Sequence, residues 1–133
     1  MRYVFIIFII LISISCRPEL RDVIKQDPEK YPADQSGIVY PFFDVDIRPV
    51  ILIKPTPFYT KDAVDDGAEG TVIVVITVLQ NGDIEAADVT KKIHPQLDEE
   101  AQVAAKNMKF RPAIKDGKRV KCKLNVPFKF SLN

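Results

Sequence analysis

The sequence predicts an α+β domain, a small antiparallel three-stranded sheet with two helices packed on one face. Three stretches carry that prediction. TVIVVITVL, residues 71–79, is apolar on both faces, which suits a strand in the middle of a sheet or one under cover on both sides. PQLDEEAQVAAKNMKF, residues 95–110, sets Leu97, Ala101, Ala104, Ala105 and Met108 on one helical stripe. KCKLNVPFKF, residues 121–130, alternates with period two: Cys122, Leu124, Val126, Phe128 and Phe130 on one side, Lys121, Lys123, Asn125, Pro127 and Lys129 on the other.

With 133 residues there is room for one ordinary domain and some trimmings. The chain is 47% hydrophobic and 28% charged with a formal net charge of +1, which lacks the basic excess of a nucleic-acid binder. Charge is unevenly spread: residues 17–88 hold 7 basic and 14 acidic side chains, residues 89–133 hold 11 and 4. The C-terminal part is therefore the one suited to an anionic partner.

Residues 1–15 read as an export signal. Arg2 precedes an apolar run from Tyr3 to Ile14, shorter than the roughly 20 residues a membrane-spanning helix needs. The run ends in Ser15 and Cys16, which resembles the lipobox of bacterial lipoproteins; the resemblance implies lipidation at Cys16 and an envelope location. A lipidated Cys16 leaves Cys122 without a disulfide partner, and its place on the apolar side of a strand suits a buried small hydrophobe.

Residues 16–44 are polar and broken by Pro18, Pro28, Pro32 and Pro41, and read as a tether. About 30 residues span at most ~100 Å extended and average roughly 30 Å as a coil. The folded domain is expected over residues 45–133. Val50 to Ile53 offer a short strand beside the core, and Asp44 and Asp46 read as solvated loop carboxylates. Thr60 caps a helix from Lys61 to about Asp66 that Gly67 ends. Asn81 and Gly82 suit a two-residue hairpin turn into a more polar outer strand, Ile84 to Thr90. Asp98, Glu99 and Glu100 open the second helix, and Lys106 and Lys109 close it, as the helix dipole favours. Asp116 and Gly117 turn the chain into the last strand, where Pro127, unable to donate a ladder bond, marks a sheet edge.

No reacting group stands out. His94 is the single histidine, Gly67 and Gly70 lack the spacing and lysine of a phosphate loop, and no serine or cysteine is paired with a base. The sequence thus predicts no catalytic activity, no metal and no cofactor.

In order, Pro57, Tyr59, Ala63 and Gly70, then turn glycine Gly82, then Leu97, Asp98 and Ala101, then Phe110 and Pro112, then Gly117, and finally Val126, Pro127, Phe128 and Phe130 resemble the C-terminal domain of the TonB energy-transducer family over residues 55–132. Two positions depart from the pattern: Thr60 follows the tyrosine where proline is usual, and Met108 stands where tryptophan is usual. The resemblance implies a periplasm-facing, membrane-anchored module that binds an extended segment of an outer-membrane receptor by strand addition in energised transport. The alternative it leaves open is a non-energised lipoprotein adaptor that binds a protein strand or peptidoglycan. Arg17 after the cysteine, in place of an inner-membrane retention aspartate, points to the outer membrane. The expected docking edge is the last strand, with Lys121, Lys123, Asn125, Pro127 and Lys129 towards an acidic partner or, in a homodimer, a second copy.

Overall fold

The computed structural model describes residues 30–133; the expected export signal, the expected lipidation site Cys16 and the first part of the expected tether lie outside them. The elements, in chain order, are β1 (Val39–Pro41), β2 (Val50–Ile53), α1 (Lys61–Asp65), β3 (Gly70–Val78), β4 (Ile84–Lys91), α2 (Pro95–Lys106), β5 (Lys109–Arg111), β6 (Ala113–Lys115) and β7 (Lys118–Phe130).

The expected three-stranded core is present. β3 lies between β4 and β7 and is antiparallel to both, with Val74 opposite Val89 on one side and Val126 on the other. Its central place gives it a hydrogen-bonded strand along each edge. Val72, Val74, Ile76 and Val78 are fully buried with Leu97, Ala101 and Ala105 of α2, whereas Ile73, Val75 and Thr77 on the other face are half-covered.

The helices form where their ends are satisfied. Thr60 accepts from the Ala63 amide to cap α1, and Gly67, at φ 65°, follows its end. α2 begins three residues earlier than its acidic run, with His94 as N-cap and Pro95 in the first turn, where a missing N–H costs nothing. It also ends sooner than expected, at Lys106 with Asn107 as C-cap: Met108 lies past its end, and Lys109 does not close the helix but opens β5, which pairs with β2. Asp98 is nearly buried, and its carboxylate accepts from the Ile93 amide at 3.0 Å, so it fixes the chain just before it enters the helix. His94 Nε2 lies 3.0 Å from Asp66 Oδ2 and ties the start of α2 to the end of α1.

Two turns behave differently from one another. Asp116 and Gly117, both at positive φ, make a two-residue turn between β6 and β7. The expected two-residue turn at Asn81 and Gly82 is instead a longer loop: Gly82 donates to Leu79 O, Leu79 donates to Asp83 O, and only Gly82 has positive φ. The reason is packing. Gly82 sits against β5, where the Phe110 amide donates to Gly82 O, and a Cβ on residue 82 would lie 1.9 Å from Phe110 O.

The sheet is also larger than the three strands predicted. β1, within the segment read as tether, pairs in parallel with β7, matching Val39 to Lys121, Tyr40 to Cys122 and Pro41 to Lys123. β6 pairs with the start of β7, and β2 with β5 makes a separate two-stranded ribbon. Residues 31–46 are fastened to the sheet at both ends. Near Arg119, its amide donates to Pro32 O, its guanidinium donates to Tyr31 O, and its carbonyl accepts from the Asp34 amide. Near β6, Lys115 Nζ donates to Asp44, and Asp46 accepts from the Asp116 amide, so these two carboxylates buckle the segment to a turn. Between the fasteners Tyr40, Phe42 and Val45 pack on a second small core of Ala113, Val120 and Cys122. The folded part therefore starts well before residue 45.

The open half of the C-terminal strand as candidate docking site

Which backbone groups of β7 face outward is settled by Arg119. Both its N–H and its C=O bond to residues 32 and 34 of the strap, so odd-numbered residues of this strand aim their main-chain groups away from β3. The same parity puts the groups of Lys121 and Lys123 on β1, as the register requires. It also puts those of Asn125, Pro127 and Lys129 on the outer side, beyond the end of β1. Pro127 fits there, since its absent N–H removes no bond to β3.

The predicted docking edge thus divides. At Lys121 and Lys123 the edge is already occupied, and the Lys121 side chain is 2.9 Å from Glu85 Oε1. This corrects the expectation of one continuous free edge: β1 takes those two positions because its own apolar residues gain a core by lying there. At Asn125, Pro127 and Lys129 no strand of the described residues pairs on the outer side.

Two features that the sequence reading missed border this open half. Lys54, just after β2, donates to Pro127 O at 2.9 Å and stands 4.9 Å from the centre of the Phe128 ring. Phe42 and Phe43, an edge-to-face pair with ring centres 5.3 Å apart, stand where β1 ends, and the Arg48 guanidinium lies 5.0 Å from the Phe42 ring centre. Pro41, Phe42 and Phe43 with Lys123, Leu124 and Asn125 line a hollow of about 380 Å³. Adjacent to it, on the half-covered face, Val39, Pro41, Val75 and Thr77 with Lys123 and Asn125 line a wider groove of about 570 Å³. The only sequence signal for the first hollow was an aromatic pair inside an otherwise polar, proline-rich stretch.

The inward side of β7 is core. Val126, Phe128 and Phe130 are buried, and Phe130 meets Tyr59 edge-to-face at 5.5 Å, while the Tyr59 hydroxyl donates to Ala68 O. Cys122 is fully buried, and burial pushes its thiol up to about 11. Among the described residues no group of three or more His, Cys, Asp or Glu could hold a metal ion, and no helix is long and apolar enough to cross a membrane.

Residues 55–132 match the family model described as Gram-negative bacterial TonB protein C-terminal. The chain belongs to the TonB C-terminal family. Protein TonB of Vibrio cholerae serotype O1 is 31% identical over 108 residues, covering 80% of this chain and 44% of that protein. Protein TonB of Xanthomonas campestris pv. campestris (strain B100) is 32% identical over 78 residues, 58% of this chain and 35% of that one. The chain spans less than half the length of these curated relatives. A solution NMR structure of the Pseudomonas aeruginosa TonB CTD aligns with a TM-score of 0.47 at 29% identity, covering 70% of this chain and 95% of that one.

Apart from Pro127, which lies on the open edge, the residues that carry the TonB C-terminal pattern hold the fold rather than line that edge. Ala63, Leu97, Ala101, Phe110, Pro112, Val126, Phe128 and Phe130 are buried. Asp98 holds the Ile93 amide before α2, Gly82 and Gly117 make turns, Tyr59 bonds Ala68, and Pro57 is half-buried before α1. Gly70, at φ 143°, begins β3 where a Cβ would crowd Ile93. At the two departures, Thr60 serves as helix cap and Met108 is fully buried, so the fold absorbs both.

Proposed function

We propose that this chain is a membrane-anchored TonB-like module, facing the periplasm, whose C-terminal domain binds an extended segment of an outer-membrane receptor by strand addition in energised transport across that membrane. Membership of the TonB C-terminal family supports the reading, and one observation carries it: the outward main-chain groups of Asn125, Pro127 and Lys129 have no strand opposite them among the described residues. Main-chain bonds to such an edge give affinity, and alternate side chains give selectivity. Binding of this kind requires no reacting group and no cofactor. The lipid at Cys16 provides the anchor in this reading, and each buried CH₂ contributes about 0.8 kcal/mol to membrane binding.

A photocrosslinker at position 129 of the full, anchored chain in cells tests the proposal. The expected product is an adduct with a receptor's periplasmic segment, its yield changing when the proton-motive force is collapsed. Adducts only with another copy of the chain, or with envelope components other than a receptor, would replace this reading with a dimer or an adaptor.

A further inference from the structure

A strand added to β7 meets an edge that is already half taken. β1 lies parallel to β7 opposite Lys121 and Lys123, and it is the middle of a strap rather than a loose end. Arg119 fastens the strap on one side, with Gln80 Nε2 donating to Asp34 O as well, and Lys115 and the Asp116 amide fasten it on the other. Tyr40, Phe42 and Val45 are packed between. Releasing β1 would break these bonds and uncover that small core together. The strap is therefore part of the docking surface, and it sets where an incoming strand begins.

Beyond Pro41 the chain turns away through Phe42 and Phe43, and the hollow of about 380 Å³ opens between them and Asn125. Phe43 is 83% exposed, and its ring is backed by Phe42 and by the Arg48 guanidinium at 5.7 Å. Such an exposed aromatic lacks a folding explanation in its own contacts, yet it forms the end wall of the free edge. Arg48, Lys54, Lys123 and Lys129 surround the free edge, and among the described residues none of the four forms an ion pair. Glu69, which precedes the partner of Phe130 in β3, accepts from the Leu132 amide.

We propose that β1 is a fixed occupant of the edge, that the partner strand is confined to residues 125–129, and that the hollow beside Phe43 takes an apolar side chain at the end of a short, acidic, extended peptide segment. This rests on the docking reading above and deepens it. The segment has room for about five residues, roughly 17 Å of strand. Its N–H group displaces the Lys54 ammonium from Pro127 O, and Lys54 is then free to meet an acidic side chain.

The test keeps the photocrosslinker at position 129 in the full, anchored chain and adds a clamp, Val39→Cys with Lys121→Cys in a Cys122→Ala background. With the clamp oxidised, the receptor adduct is expected at the same yield as with the clamp reduced. Loss of the adduct on oxidation and its return on reduction would show that the strap has to leave, overturning this inference while the docking reading stands. No adduct in either state, nor in the unclamped chain, would remove the docking reading and this inference with it. Phe43→Ala is expected to lower the adduct yield about tenfold, as truncating an interface aromatic does, with hydrogen exchange of the β1 amides unchanged; an unaltered yield would overturn the role given to the hollow.

Discussion

The two halves of β7 are one unbroken strand whose inward side is buried except at half-buried Leu124, yet their outer sides have opposite fates. The first half, up to Lys123, is covered by a strap from the same chain; the second, from Asn125, is left open with a proline in its middle. The difference teaches that a strand's sequence reports its buried face and is nearly silent about its edge. Lys121 and Lys129 look alike in the alternation, and the structure gives them different neighbours.

Four measurements press on that contrast, beginning with the largest effect. Phe128→Ala should destabilise the domain by about 3 to 5 kcal/mol in urea unfolding, because the ring is buried and the space cannot fully close; a loss below about 1 kcal/mol would mean that the open half is not core on its inward side. Proline scanning of the outer side comes next. Lys121→Pro removes an N–H that serves β1 and should cost about 2 kcal/mol or more, whereas Lys129→Pro should cost less than about 1 kcal/mol and abolish the receptor adduct read from position 125. Equal costs at the two sites would erase the distinction between the halves.

Arg119→Ala should cost about 1 to 2 kcal/mol and speed hydrogen exchange at Val39 and Tyr40 while leaving β3 amides protected, since its guanidinium bonds to Tyr31 O and Gln80 O fall with it. Uniform acceleration across the sheet would show that the strap has no separate attachment. The last effect is nil at neutral pH and emerges only as a pH dependence in the covered half. Burial holds the Cys122 thiol up to about 11, against about 8.5 in an unfolded chain. Ionisation therefore favours the unfolded state: the stabilising contribution is whole below about pH 8.5 and is lost as pH rises towards 11. Denaturation midpoints should fall more steeply over that alkaline window in the natural chain than in Cys122→Val, and parallel curves would refute the effect.

Much of the fold was legible because burial writes itself into periodicity. The doubly apolar run at residues 71–79 announced a central strand, the stripe from Leu97 to Ala105 announced the helix over it, and Asp116 with Gly117 announced a tight turn; Met108 and Lys109, read as the end of that helix, lie beyond it. What stayed hidden depended on contacts distant in sequence. Val39 pairs with Lys121 across the whole domain, and nothing local in a proline-broken segment encodes a parallel partner. The turn at Gly82 departed from its two-residue form because Phe110 leans on it, a neighbour that no hairpin pattern contains. Asp98 read as a dipole charge and proved to be a nearly buried acceptor for the Ile93 amide. Of the site, Asn125, Pro127 and Lys129 could be found by alternation, and Pro127 rightly marked an edge. Lys54, Phe43 and the strap could not, since they reach β7 only through tertiary folding.

The parallel run of β1 beside β7 has a mechanical consequence. The strap enters the sheet near Arg119 and leaves it near Lys123, while the open positions lie farther along β7 in the same direction. A pull between the N-terminal side of residue 31 and a strand seated at residues 125–129 would run lengthwise along β7, loading the bonds at Arg119, Lys121 and Lys123 in shear and together. Peeling, which breaks such bonds one after another, would need a pull across the sheet, so the fold is stiffest along the line that joins its leading segment to its free edge.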